Sequence, residues 1–231
     1  MSWSGYINFA KEYNGSPAHQ RGREKGNDMH QISIFDIPQI EAPIAPSVVQ
    51  PVVMPVVDMD MLRKYKKKFN FFATPETIAD EMVEVIDGLG RDALILEPSA
   101  GLGALIKAIE KMLRFATQRI DFCEVQEEFA AVLSGYNRVG SDFLQYRPGP
   151  IYDAVVMNPP YKERLAEKHV NHAWECIKPG GWISALVGKS AALWIDEEFD
   201  GHIFTRETIK KGFKETSVDT VHFTINKPLW A

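Results

Sequence analysis

The sequence predicts an α/β protein built on a nucleotide-binding sheet, and three stretches carry that prediction. Residues 93–97 form an apolar run that ends on Glu97 and enters Pro98-Ser99-Ala100-Gly101-Leu102-Gly103, a turn of small residues. Apolar residues at helical spacing continue to Leu113. Strand, glycine-containing turn and helix make the first unit of such a sheet, where small residues let a ligand approach the backbone. A second apolar strand, residues 120–123, also ends on a carboxylate, Glu124, at a position that suits the two hydroxyls of a ribose. A third apolar run, from Tyr152 to Met157, stops in Asn158-Pro159-Pro160-Tyr161.

Composition bounds the rest. The 231 residues accommodate one ordinary α/β domain with an appendage and a sizeable core. With 45% hydrophobic and 25% charged residues the chain has the composition of a soluble globular protein. No apolar run approaches the ~18 residues of a membrane span, and the polar N-terminus lacks a signal-peptide core. No membrane partner is expected. Two cysteines, Cys123 and Cys176, exclude a disulfide framework and suit a reducing, cytoplasmic setting. The formal net charge of -5 does not advertise a nucleic-acid binder. It does not exclude one, because affinity for phosphate depends on local patches.

Taken in order, residues 1–57 read as an irregular, proline-rich arm or linker, and residues 58–231 as the domain. Five prolines between Pro38 and Val57 disfavour both helix and interior strand. Ile32, Ile34, Phe35 and Ile37 are an apolar cluster able to anchor the arm; a poorly ordered tail accounts for the segment equally well. Residues 58–69 read as a helix bearing Arg63, Lys64, Lys66, Lys67 and Lys68 beside Tyr65 and Phe69. Such a run can meet a phosphate backbone, and a solvated helix face is the commoner explanation. In Phe72-Ala73-Thr74-Pro75, Thr74 is a good N-cap and Pro75 suits the first helical position. Ile78, Met82, Val85, Ile86 and Leu89 then follow at helical spacing, with Gly88 or Gly90 to end the helix.

Beyond Glu124, a helix over 127–133 leads to Ser141-Asp142-Phe143; an aspartate there also serves as an ordinary turn cap. The apolar strand that follows is cut off at Asn158 because two successive prolines fix φ and remove backbone donors, while each preceding residue is held extended. The turn presents an amide side chain, carbonyls without neighbouring N–H groups, and the ring of Tyr161. Those are acceptors in the plane of a planar amino group and an aromatic surface for its face. A polar loop (162–167), a helix containing Val170, Ala173, Trp174 and Ile177, the stop Lys178-Pro179-Gly180-Gly181, and a strand over 182–187 come next. His169 and His172 stand three apart but lack a third partner for a metal, and none is expected. A loop around residues 212–216 and a strand over 221–225 close the chain.

The order Phe-x-Thr-Pro, Glu-Pro-Ser-Ala-Gly-x-Gly, acidic strand end, Asp-Phe, Asn-Pro-Pro-Tyr resembles the catalytic domain of S-adenosylmethionine-dependent N6-adenine DNA methyltransferases. The likeness is greatest to small plasmid- and phage-type enzymes and spans about Phe72 to Ile225. It implies a Rossmann-like class I methyltransferase fold, a mostly parallel seven-stranded sheet with helices on both faces. It also implies S-adenosylmethionine as cofactor, held by Phe72, Thr74, Pro75, Glu97, Pro98, Ala100, Gly101, Gly103, Glu124, Asp142, Phe143 and Asn158. By the same resemblance Asp142 accepts from the cofactor's adenine amino group and Phe143 packs on that ring. Asn158, Pro159, Pro160 and Tyr161 are the implied catalytic residues, acting on an adenine flipped out of DNA.

Large members of that family carry a separate recognition domain after the catalytic one, and little follows Asn226 here. Sequence specificity is therefore expected to be relaxed, to come from the basic helix and arm, or to come from a separate partner or a homodimer. The alternatives to DNA are an exocyclic amine of ribosomal RNA, a protein glutamine, and a non-catalytic subunit with the same fold. The glutamine enzymes carry an Asp-x-Gly-x-Gly-x-Gly turn that this sequence lacks.

Overall fold

The computed structural model describes residues 72–114, 118–210 and 219–230. The N-terminal arm, the basic helix over 58–69 and the loop around 212–216 lie outside the described residues.

Seven strands form one sheet in the order β3-β2-β1-β4-β5-β7-β6. They are β1 (Leu94–Glu97), β2 (Arg119–Cys123), β3 (Asn137–Gly140), β4 (Tyr152–Met157), β5 (Ile177–Gly188), β6 (Ile203–Ile209) and β7 (Thr220–Asn226). The pairs β1–β2, β1–β4, β2–β3 and β4–β5 are parallel, and β7 runs antiparallel to both β5 and β6. The central strands are apolar along their length because both faces are covered. Leu94, Leu96, Val155, Met157, Ile183, Ala185 and Phe223 pack on one side with α4 (Leu165–Cys176) and α5 (Lys189–Glu198). Ile95, Ile120, Phe122, Ala154, Val156 and Leu186 pack on the other with α1 (Glu76–Met82), α2 (Ala104–Met112) and α3 (Glu127–Val132). Successive side chains point to opposite faces, so one strand feeds both cores.

Four local expectations need correction. Thr74 does not cap α1: the first helical hydrogen bond runs from Ala79 N–H to the carbonyl of Pro75 (2.9 Å), which is the N-cap residue, and no side chain caps this end. The helix stops at Met82 and tightens into a 3₁₀ turn over Glu84–Ile86, before either glycine. The loop after Tyr161 is shorter than expected, since α4 already begins at Leu165.

Lys178-Pro179-Gly180-Gly181 ends α4 but is not a connector, because β5 begins at Ile177 and passes through it. Tyr152 pairs with Ile177 and Ala154 with Trp182, so residues 178–181 bulge against Asp153 alone. A Cβ on Gly181 would stand 2.8 Å from the Lys178 carbonyl oxygen, too close for any other residue. Lys178 Nζ binds the Asp153 carboxylate (2.8 and 2.9 Å), and the same carboxylate accepts from Leu94 N–H (2.8 Å), tying the bulge to β1.

Candidate active site

The strand order reverses between β1 and β4, and a cavity of about 400 Å³ opens at the carboxyl ends of β1, β2 and β4. Open α/β sheets bind ligands at such a switch point, and the size lies within the range of small-molecule sites. Five segments line it: residues 72–74, the turn 97–102, residues 124–126, residues 141–144 and the turn 158–161. Leu105, Phe129, Leu165 and His169 complete the wall from the helices.

Two carboxyl groups dominate one end. Glu97, 1% exposed, accepts the Ser99 N–H at 3.0 Å. Burial, with Glu124 nearby, pushes its acid up to about 8 against the pull of that single N–H. Glu124 is also buried and raised by desolvation, but both its oxygens are engaged: Oε2 accepts from Gly101 N–H (2.7 Å) and Oε1 from Gln126 N–H (2.8 Å). Cys123 supports the turn through its carbonyl, which accepts from Ala100 N–H at 3.0 Å. Its buried thiol is pushed up to about 12 and is inert as a nucleophile. Two buried carboxyl groups beside an open cavity favour a ligand that carries positive charge and hydroxyl donors.

The opposite wall is mixed. Asp142 does cap a turn, Oδ1 accepting the Leu144 N–H at 2.9 Å, and it also lines the cavity. Phe143 lines the cavity while its ring is buried against His172 and His169, with centroids 4.6 and 5.4 Å away. His169 Nδ1 donates to the Leu165 carbonyl (2.8 Å), and burial lowers the imidazole's affinity for a proton. Val125 is 64% exposed beside Glu124, an apolar surface at the cavity rim.

The turn of residues 158–161 is locked from both sides. Asn158 Nδ2 donates to the Phe72 carbonyl (3.2 Å) and to Thr74 Oγ1 (3.0 Å). A carbonyl only accepts, so the amide nitrogen faces residues 72–74 and Oδ1 faces the other way. That oxygen accepts the Tyr161 hydroxyl at 2.7 Å. The Tyr161 ring stacks on Phe72, with centroids 6.2 Å apart and planes inclined by 21°, and burial raises the phenol above its usual range. Glu163 and Arg164, which follow directly, both adopt left-handed backbone (φ 53° and 58°) without being glycine. This strained corner turns the chain into α4.

Of the residues singled out in the sequence, Phe72, Thr74, Glu97, Pro98, Ala100, Gly101, Glu124, Asp142, Phe143, Asn158, Pro159, Pro160 and Tyr161 all line this one cavity. Pro75 and Gly103 do not; Pro75 starts α1, and Gly103 (φ 77°) starts α2. Sequence reasoning missed Val125, Gln126, Ser141, Leu144 and Leu165, which carry no chemical signal of their own. His169 was legible only as half of a metal pair, and no group of three metal-ligating side chains occurs among the described residues.

No family model matches the chain, and no curated protein sequence does. Solved structures do. The methyltransferase subunit of a type I restriction-modification system from Streptococcus thermophilus superposes with TM-score 0.56 at 17% identity, over 73% of this chain and 48% of that one. TrmN from Thermus thermophilus gives 0.55 at 18% identity, over 72% and 53%. The 23S rRNA methyltransferase ErmE gives 0.50 at 19%, over 69% and 72%. The chain thus spans about half the length of the first two. With its seven-stranded, mostly parallel sheet and helices on both faces, the chain has the Rossmann-like class I methyltransferase fold.

Proposed function

We propose that the protein is an S-adenosylmethionine-dependent methyltransferase that methylates the N6 amino group of adenine in DNA. The observation that carries this reading is the Asn158 amide in the cavity wall at a strand's carboxyl end: its nitrogen is consumed by residues 72–74, and its oxygen is left as an acceptor, engaged here by the Tyr161 hydroxyl. A general base is not needed for such a transfer, and acceptors for an amine are what the turn supplies.

The cavity fits the cofactor. Glu97 is a buried carboxyl group that gains its charge most readily beside a cation, and Glu124, anchored by two backbone N–H groups, retains lone pairs for ribose hydroxyls. Asp142 and Phe143 would hold the adenine end, with Val125 at the rim. Phe72, Pro98, Ala100 and Gly101 would border the rest, while Thr74, Pro75 and Gly103 act indirectly, the first through Asn158 and the others by starting α1 and α2. When bound, S-adenosylmethionine supplies an electrophilic methyl group on sulfur.

The chain's own residues would then act on the acceptor base. Asn158 Oδ1 and the Pro159 carbonyl accept the two amino hydrogens, which draws the nitrogen from planar towards tetrahedral and frees its lone pair. The same acceptors stabilise the positive charge that develops there, until the methylated nitrogen releases its extra proton to water. Pro160 stiffens the turn, and Tyr161 provides the ring on which the base stacks. Most of the remaining rate comes from alignment.

DNA is favoured by the motif order and by likeness to a restriction-modification subunit; an RNA base amine is the second reading, favoured by likeness to ErmE. Residues 58–231 would form the catalytic domain, residues 1–57 an arm, and a separate partner or a second copy would supply sequence specificity. The two free cysteines, both buried, suit a cytoplasmic location. Among the described residues no helix is long and apolar enough to cross a membrane. The direct test compares the wild type with Asn158→Ala on DNA. Methyl transfer that falls at least a hundredfold while cofactor affinity holds supports the assignment, and retained turnover contradicts it.

A further inference from the structure

We propose that Thr74 is a positioning residue: its hydroxyl fixes the Asn158 carboxamide in the one orientation that turns the amide oxygen to the substrate. This rests on the function proposed above and adds a residue to it.

Thr74 has no structural duty of the usual kind. It stands immediately before a helix, where a threonine ordinarily caps, yet α1 has no side-chain cap and takes Pro75 as its N-cap residue. Its hydroxyl instead reaches a residue 84 positions away, accepting from Asn158 Nδ2 at 3.0 Å in a nearly buried setting. The amide has two N–H groups, and the other goes to the Phe72 carbonyl at 3.2 Å. Both donors are thereby spent on a single segment. Flipping the amide by 180° would set its oxygen against the Phe72 carbonyl, two acceptors face to face, with the Thr74 hydroxyl as the donor on that side and the Tyr161 hydroxyl as the acceptor on the other. With the Thr74 hydroxyl removed, Phe72 alone holds the nitrogen and Tyr161 the oxygen, so the carboxamide keeps two of its three restraints and its orientation is less sharply set. A group that must accept an amino hydrogen in a defined direction loses rate when that orientation loosens.

Thr74→Val keeps the shape and removes the hydroxyl; Thr74→Ser keeps the hydroxyl. The expected result is a kcat at saturating cofactor at least tenfold lower in Thr74→Val, with the cofactor Kd within twofold of wild type, and a kcat within threefold of wild type in Thr74→Ser. A loss that appears only in cofactor Kd or KM would make Thr74 a cofactor contact and overturn the proposal. So would full kcat in Thr74→Val, or a Thr74→Ser variant as poor as Thr74→Val.

A second readout needs no turnover. In ¹⁵N-correlated spectra the Asn158 carboxamide, assigned by its disappearance in Asn158→Asp, should show both protons shifted and slow to exchange. One of them should return towards the free-amide position in Thr74→Val. Unchanged carboxamide signals in Thr74→Val would refute the positioning role. If the wild type transfers no methyl group to any acceptor, the proposed function fails, and the spectra still decide the role of Thr74.

Discussion

The Tyr161 hydroxyl lies 2.7 Å from Asn158 Oδ1, so the proposed catalytic turn closes on itself: the oxygen meant for a substrate amine accepts a hydrogen from the turn's own tyrosine. The amide oxygen has a second lone pair, but a substrate amino group that takes the same direction as that hydroxyl would displace it. The exchange sets one net hydrogen bond against another, and each is worth about 0.5–1.5 kcal/mol.

Tyr161→Phe removes the competitor and keeps the ring. The acceptor KM should fall about two- to tenfold with kcat within threefold of wild type. Tyr161→Ala, which also removes the stacking surface against Phe72, should lose kcat/KM by roughly a hundredfold or more, allowing 1–3 kcal/mol for the stacked base and the rest for misalignment. Steady-state kinetics at saturating S-adenosylmethionine distinguish the two variants.

On the proposed function, Glu97 should make cofactor binding pH-dependent. Its acid is pushed up to about 8, chiefly by burial, so near neutrality the empty site holds a proton that a cationic ligand expels. Affinity should rise with pH up to about 8 and then level. Calorimetry from pH 6.5 to 9 should show this slope in the wild type beyond whatever Glu97→Gln retains. The same shift opposes folding: with the folded-state value above the unfolded one near 4.5, the stabilisation is complete below pH 4.5 and is lost as pH rises through about 8. Glu97→Gln should therefore flatten the decline in melting temperature between those limits.

His222 works in the opposite direction at the far side of the sheet. Ser184 Oγ donates to the Met82 carbonyl (2.7 Å) and accepts from His222 Nε2 (2.8 Å), which joins β7, β5 and the end of α1 through a neutral imidazole. Burial lowers that imidazole to about 4. The folded value lies below the unfolded 6.5, so stability is full above pH 6.5 and is lost as pH falls towards 4, by roughly 3 kcal/mol at most. Urea midpoints at pH 4.5 and 7 should differ less in His222→Gln than in the wild type.

Gly103→Ala should destabilise the turn of residues 98–103. A Cβ there would stand 2.5 Å from Leu133 Cδ2. That leucine tip can move, but the left-handed backbone (φ 77°) cannot accept a side chain without about 1–2 kcal/mol of strain. A fall of about 2–8 °C in melting temperature is expected, with weaker cofactor binding measured alongside it.

What was legible in the sequence was what local chemistry announces. β1, β2, β4 and the core of β5 are short apolar runs, and Glu97, Glu124 and the Asn-Pro-Pro-Tyr turn mark their carboxyl ends. The two strands that did not stand out, β3 and β6, are the sheet's outer edges: Asn137-Arg138-Val139-Gly140 has one large apolar residue, and β6 is mostly exposed. Edges have little to bury and so little to announce. Thr74 misled for a different reason, since Thr-Pro before a helical run is the local signature of a cap. Only a tertiary contact with Asn158 reveals its other use. Lys178-Pro179-Gly180-Gly181 reads as a stop, and it enters β5 because Asp153 and Asn226 bind the bulge, the latter through the Gly180 and Gly181 carbonyls.

The measurement that bears most directly on the proposed chemistry offers the protein methyl-labelled S-adenosylmethionine with duplex DNA, single-stranded DNA, total RNA and protein extract separately. Each product is digested and the modified residue identified by mass. Label in N6-methyldeoxyadenosine, abolished by Asn158→Ala, is the predicted result. Label confined to an RNA nucleoside or a protein side chain, or no transfer by a protein that binds the cofactor, would contradict it.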